Sequence, residues 1–83
     1  MRRSSSFVDP DRRFGQLFHR RIKSLGITQT QAAERLNCHQ GYVSALCNGK
    51  RPWKLRRLKA AAEILGIPLG QLLNEALDEQ PKP

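Results

Sequence analysis

Residues 27–49 read ITQTQAAERLNCHQGYVSALCNG, and this stretch decides the architecture of the chain. Ala32, Ala33 and Leu36 fall at helical spacing, and Thr28 with Gln31 fits the reciprocal cap that satisfies two orphan amides at a helix start. Residues 37–39 break the pattern. Val43 and Leu46 then resume it, until Asn48-Gly49 supplies a stop. Two short helices, over residues 28–36 and 40–47, are therefore expected around a tight turn. Small and polar residues are left on the outer side of the second. A basic run, KRPWKLRRLK, follows at once. One helix that braces against phosphates and a second that enters a major groove require this order.

The rest of the chain reads as support for that pair. Asp9-Pro10 marks a helix start, with Asp as N-cap and Pro at the first helical position. Phe14, Leu17, Phe18, Ile22 and Leu25 follow at helical spacing with arginines between them, and Gly26 ends the helix. Residues 54–65 form a fourth helix that buries Leu55, Leu58, Ala62 and Leu65 before Gly66. Pro68 opens a fifth, carrying Leu69, Leu72, Leu73, Ala76 and Leu77. Trp53, beside Pro52, reads as a lid over the core rather than a base-stacking group. Residues 1–8 form a basic arm expected to be flexible, in which Arg2 and Arg3 either reach round a duplex or serve no role. Residues 78–83 are expected to fray. With no β-alternation and no repeat, the class is all-α: a compact five-helix domain over residues 9–77.

The chain has 83 residues, enough for one domain with a limited core. No apolar run approaches a membrane span, and the N-terminus lacks the apolar segment of a signal peptide, so a cytoplasmic, nucleoid-associated protein is expected. Net charge is +8, distributed unevenly. Residues 1–60 hold fourteen Lys/Arg against three Asp/Glu, whereas residues 61–83 hold one against four. A polyanion partner fits this asymmetry. Nucleic acid suits it better than anionic membrane, because no basic amphipathic helix has an aromatic face. Cys38 and Cys47 read as packing residues. Their spacing, with His19 and His39, completes no zinc set, and no cofactor or metal is expected. Ser44, His39 and Cys38 lie along one turn and helix without an oriented partner, which argues against an enzyme.

At LNCHQGYVSALCNG the sequence resembles the phage lambda repressor and Cro type of helix-turn-helix, also called the xenobiotic-response-element family. The family opening of Gly, a hydrophobe, Ser/Thr and Gln is matched by Gly26-Ile27-Thr28-Gln29. The Leu-Gly-Val-Ser turn is matched by Leu36-Asn37-Cys38-His39, and the reading helix by residues 40–49. The likeness extends over roughly residues 12–77, and it implies a lambda-repressor-like domain that binds double-stranded DNA. Three positions depart from the pattern. Asn37 replaces the turn glycine, which suits the left-handed region. His39 stands at the usual Ser/Thr cap. Gly41 stands where a polar side chain often reads a base, and a mid-helix glycine costs about 1 kcal/mol relative to alanine.

The resemblance and the side-chain chemistry together nominate the contacts. Gln40 can pair bidentately with adenine N6 and N7, Ser44 can reach a base or phosphate, and the Ala45 methyl can pack on a thymine methyl. Gly41 lies among them, and Arg51 can reach a base edge. The resemblance makes Gln29 a phosphate contact that buttresses Gln40, and Asn48 a second phosphate contact. Thr28, His39, Lys50, Lys54, Arg56 and Arg57 complete the backbone candidates, although one helix cannot turn all of them to one strand. Tyr42 either reaches a phosphate through its hydroxyl or plugs the core edge with its ring. The expected function is a transcriptional repressor that binds an inverted repeat as a homodimer, with part of the stripe of Leu69, Leu72, Leu73, Ala76 and Leu77 forming the dimer contact. An antitoxin that binds a protein partner and represses its own operon is the alternative.

Overall fold

A computed structural model describes residues 9–77, which form five helices: α1 (Pro10–Ser24), α2 (Gln29–Leu36), α3 (Gln40–Cys47), α4 (Leu55–Leu65) and α5 (Leu69–Leu77). The arm at residues 1–8, the tail at residues 78–83 and the side chain of Leu77 lie outside the described residues. The expected helices all form, most within a residue of the sequence reading. Asp9 caps α1 by accepting from the Asp11 amide, and Pro10 is the first helical residue. The Thr28 hydroxyl accepts from the Gln31 amide at 3.1 Å, and the Gln31 side chain accepts from the Thr28 amide at 3.0 Å. That reciprocal pair sets the start of α2.

The turn between α2 and α3 is made by Asn37, the one non-glycine residue with a left-handed backbone among those described (φ 60°). Its amide donates back to α2, and the Cys38 amide donates to the Ala33 carbonyl at 2.9 Å. The chain is thereby turned tightly enough for α3 to begin two residues later.

Phe14, Leu17, Phe18 and Ile22 of α1 meet Ala32, Ala33 and Leu36 of α2 and Val43 and Leu46 of α3 in one core. Leu58, Ala61, Ala62 and Leu65 close it from α4, and Leu72 and Ala76 from α5. Gly15 permits the tightest approach. A Cβ there would lie 2.2 Å from the Leu46 carbonyl oxygen, so only a glycine lets α1 cross this closely over the end of α3.

Two expected core residues turn outward. Leu25 is 54% exposed because it falls in the C-cap turn beyond the last turn of α1, and Leu55 is 62% exposed. Leu55 opens α4, at the flank of the face that Leu58, Ala61, Ala62 and Leu65 bury. The α5 stripe is corrected in the opposite sense. Leu72 (2% exposed) and Ala76 (0%) are buried within the chain, and Leu69 and Leu73 are half-buried against the same core. Four of the five side chains assigned to a dimer contact are thus wholly or partly taken up by the monomer's own packing. Arg21 pairs with Glu75, and the Arg13 guanidinium donates to the Ala76 carbonyl at 3.4 Å, so α1 holds α5 from its polar side as well. Hydrogen bonding from Gln71, with Arg21 beside it, holds the Glu75 carboxyl below its ordinary value.

Candidate nucleic-acid interface

Helix α3 divides into two sides at the spacing its sequence dictates. Val43, Leu46 and Cys47 are buried, while Gln40, Gly41 and Asn48 are exposed and Ser44 and Ala45 half-exposed on the opposite side. Residues 40, 41, 44, 45 and 48 therefore share one outward stripe. Burial pushes the Cys47 thiol up to about 11, which leaves it protonated and inert at neutral pH. Cys38 is half-buried, and both cysteines are free.

The stripe is pinned at its end and not at its start. At its start, His39 occupies the N-cap without a side-chain hydrogen bond, so it does not replace the usual hydroxyl cap. At its end, the Leu46 carbonyl accepts from the Trp53 indole N–H at 3.0 Å and from the Gly49 amide at 3.2 Å. Trp53 is buried and meets Phe18 edge to face, with ring centroids 5.4 Å apart. Its amide donates to the Asp11 carboxylate at 2.8 Å. The lid expected from the sequence thus also locks the connector between α3 and α4 onto the first turn of α1.

That lock places the basic side chains. Lys50, Arg51 and Lys54 are exposed on or next to the connector, and Lys54 is the N-cap of α4 without a side-chain cap bond. Gln29 is half-exposed at the first turn of α2, and Thr28 is engaged in its cap. Arg57 has a structural job: it donates to the Leu36 carbonyl at 2.9 Å and lies 4.9 Å from the Tyr42 ring centroid. Arg51 approaches the same ring at 5.7 Å. Tyr42 is half-buried, with its ring stacked by cations at the edge of the core. Arg57 therefore braces the turn between α2 and α3 from α4, which its place in a basic run did not suggest. Arg56 is exposed on the outer side of α4, in its first turn.

Sequence reasoning left one group unassigned. Arg12, Gln16, His19, Arg20 and Lys23 of α1 line a cleft of about 330 Å³ with Cys47 and Asn48. They recur at helical spacing opposite Phe14, Leu17, Phe18 and Ile22, and that pattern was available in PDRRFGQLFHRRIKS. What could not be read was the Gly15 crossing, which brings this stripe against the end of the reading helix.

The helix-turn-helix family model HTH_3 matches residues 19–72, well over half of the chain. The chain belongs to the helix-turn-helix family of the lambda repressor and Cro type. Membership in this helix-turn-helix family makes it a DNA-binding transcription-regulator domain. The crystal structure of the clp gene regulator ClgR from C. glutamicum is similar, with a TM-score of 0.82 at 21% identity, over 93% of this chain and 100% of that one. At that identity the likeness speaks for the fold. No curated protein matches the chain in sequence.

Filling Gly41 separates folding from reading in this helix-turn-helix. A Cβ at Gly41 meets nothing within 4 Å, so Gly41→Ala is expected to stabilise the domain, by less than the roughly 1 kcal/mol of a helix interior because Gly41 is the second residue of α3. Thermal unfolding checks this, and a lower melting temperature would contradict it.

Proposed function

We propose that this domain is a repressor that binds an inverted-repeat operator as a homodimer, with α3 in the major groove. The observation that carries the reading is the outward stripe of Gln40, Gly41, Ser44, Ala45 and Asn48 on a helix that buries Val43, Leu46 and Cys47 on its other side. Gln40 is the base reader, because an exposed amide at the first position of α3 can donate and accept together, as adenine requires. Ser44 and the Ala45 methyl follow one turn on, and Arg51 reaches in from the connector. Gln29, Asn48, Lys50 and Lys54 hold the phosphates on either side, and the α1 cleft adds Arg12 and Lys23.

Two copies are needed because one short helix reads too few base pairs to find a site among the competing duplex of a genome. A two-fold protein on a two-fold site sets two such helices about 34 Å apart. Lodged in the groove, they exclude other proteins from the same base pairs. Repression by occlusion is the simplest output of that geometry.

Gln40→Ala tests the reading role. Affinity for the selected site is expected to fall by about 1–3 kcal/mol, with nonspecific binding little changed. Equal losses on both would reassign Gln40 to the backbone. In the same titrations Lys23→Ala should weaken binding to every duplex alike and reduce the salt slope by about one. An unchanged slope would remove α1 from the interface.

A further inference from the structure

We propose that the outer face of α4 is the seam on which a second copy of this chain docks, antiparallel and around a two-fold axis. This rests on the homodimer reading and names its surface. Leu55, Arg56, Lys59, Ala60 and Glu63 line one shallow hollow of about 410 Å³ on that face. Successive residues turn 100° around a helix, so Arg56, Lys59, Ala60 and Glu63 fall within one narrow arc. The buried side of α4, Leu58, Ala61, Ala62 and Leu65, is the opposite one. Leu55 borders this arc and is the most exposed large apolar side chain among the described residues. Leu55 adds apolar area to the charged arc beside it.

The charges of the arc identify the occupant. Arg56 and Lys59 lie toward the N-terminus of α4, and Glu63 lies two turns beyond Arg56. In an isologous pair residue i meets residue j and j meets i. A two-fold axis midway between Lys59 and Ala60 sets Arg56 against the partner's Glu63, and Glu63 against the partner's Arg56. Lys59 and Ala60 lie on opposite flanks of the arc, so Ala60 meets the partner's Ala60 while Lys59 comes beside the partner's Lys59 and its long stem carries the ammonium out to solvent. The Arg56 and Glu63 ends are complementary in this orientation and set like against like in a parallel one. The α5 stripe offers no comparable surface, since Leu72 and Ala76 are already buried. One helix face is a small interface, so the pair is weak in solution and is consolidated when both copies sit on one operator.

The test uses opposite charge reversals, measured by equilibrium sedimentation of the full chain without DNA. Arg56→Glu alone and Glu63→Arg alone each place like charges across both halves of the seam, and each is expected to weaken self-association at least tenfold. An equimolar mixture of the two restores attraction at both contacts and is expected to pair as well as the unaltered chain. No effect confined to one chain, on folding or within α4, is repaired by mixing. Leu55→Asp is expected to abolish pairing, while Leu25→Asp, at the other exposed leucine, leaves it unchanged. A mixture that associates no better than its components, or a Glu63→Arg chain that pairs normally, overturns the proposal. So does an unaltered chain that binds half-sites but never pairs. Pairing through α4 by a chain that shows no sequence preference on DNA upholds the seam and overturns the operator reading instead. Retention of half-site binding by Glu63→Arg, with loss of cooperative binding to the inverted repeat, supports both.

Discussion

Gly15→Val is expected to prevent the native fold from forming at ordinary temperature, and Gly15→Ala to leave it badly destabilised. The position looks expendable by propensity, since replacing a glycine inside a helix normally gains about 1 kcal/mol. Here the first carbon of any side chain would lie 2.2 Å from the Leu46 carbonyl oxygen and 2.7 Å from that of Cys47. Both obstacles are backbone, so no rotamer relieves them and α1 must move off α3. Overpacking of a well-filled core usually costs about 1–3 kcal/mol. Displacing α1 also pulls Phe14 and Phe18 from Trp53 and opens the core on that side. The loss therefore reaches the upper end of that range for alanine and exceeds it for valine. Circular dichroism under urea measures it, and a Gly15→Ala midpoint at or above that of the unaltered chain would refute the close crossing.

Trp53→Ala is expected to cost about 3–5 kcal/mol, the usual range for removing a large buried aromatic. Against a total stability of roughly 5–15 kcal/mol, that brings a small domain near its unfolding threshold. The ring is buried and touches Phe14 and Phe18. Its loss also strips the indole N–H from the Leu46 carbonyl. Trp53→Phe separates the two contributions. It keeps most of the apolar contact and loses the hydrogen bond, while the Gly49 amide still donates to the Leu46 carbonyl, so about 0.5–1.5 kcal/mol should go. Because Trp53 positions the connector, Trp53→Phe should weaken DNA binding more than its melting temperature suggests. A phenylalanine variant as stable as the original would show that the indole hydrogen bond contributes nothing.

Both substitutions act on one point, the Leu46 carbonyl, where α1, α3 and the connector converge. That convergence explains how much of the molecule could be read in advance. Local signals were legible because they depend on neighbours in sequence: the Asp9-Pro10 start, the Thr28–Gln31 cap, and Asn37 in the left-handed turn. The bounds of α3 and the division between its buried and outward residues were legible for the same reason, as was the lid role of Trp53. The features that escaped depend on how helices cross. Gly15 carries no local signal, since only the approach of α3 makes it indispensable. Arg57 sits in a basic run, yet it is drawn to the Leu36 carbonyl and the Tyr42 ring by the packing of α4 on α2. Leu25 and Leu55 match helical periodicity but fall at helix ends, where no neighbouring helix reaches them. Periodicity alone likewise offered Leu72 and Ala76 to a partner, although the core takes them first. Within the candidate site, the outward residues of α3 were named by type and spacing. The α1 cleft was missed because its position beside Asn48 is tertiary.

Selection of tight binders from a randomised duplex pool, at near-physiological salt, bears most directly on whether α3 reads DNA as half of a two-fold pair. Enrichment of an inverted repeat with half-sites about one helical turn apart is the expected result, with the preference at one position per half-site lost in Gln40→Ala. Salt-sensitive binding to every duplex with no enriched motif would contradict it, because the outward stripe of α3 would then touch DNA without reading it.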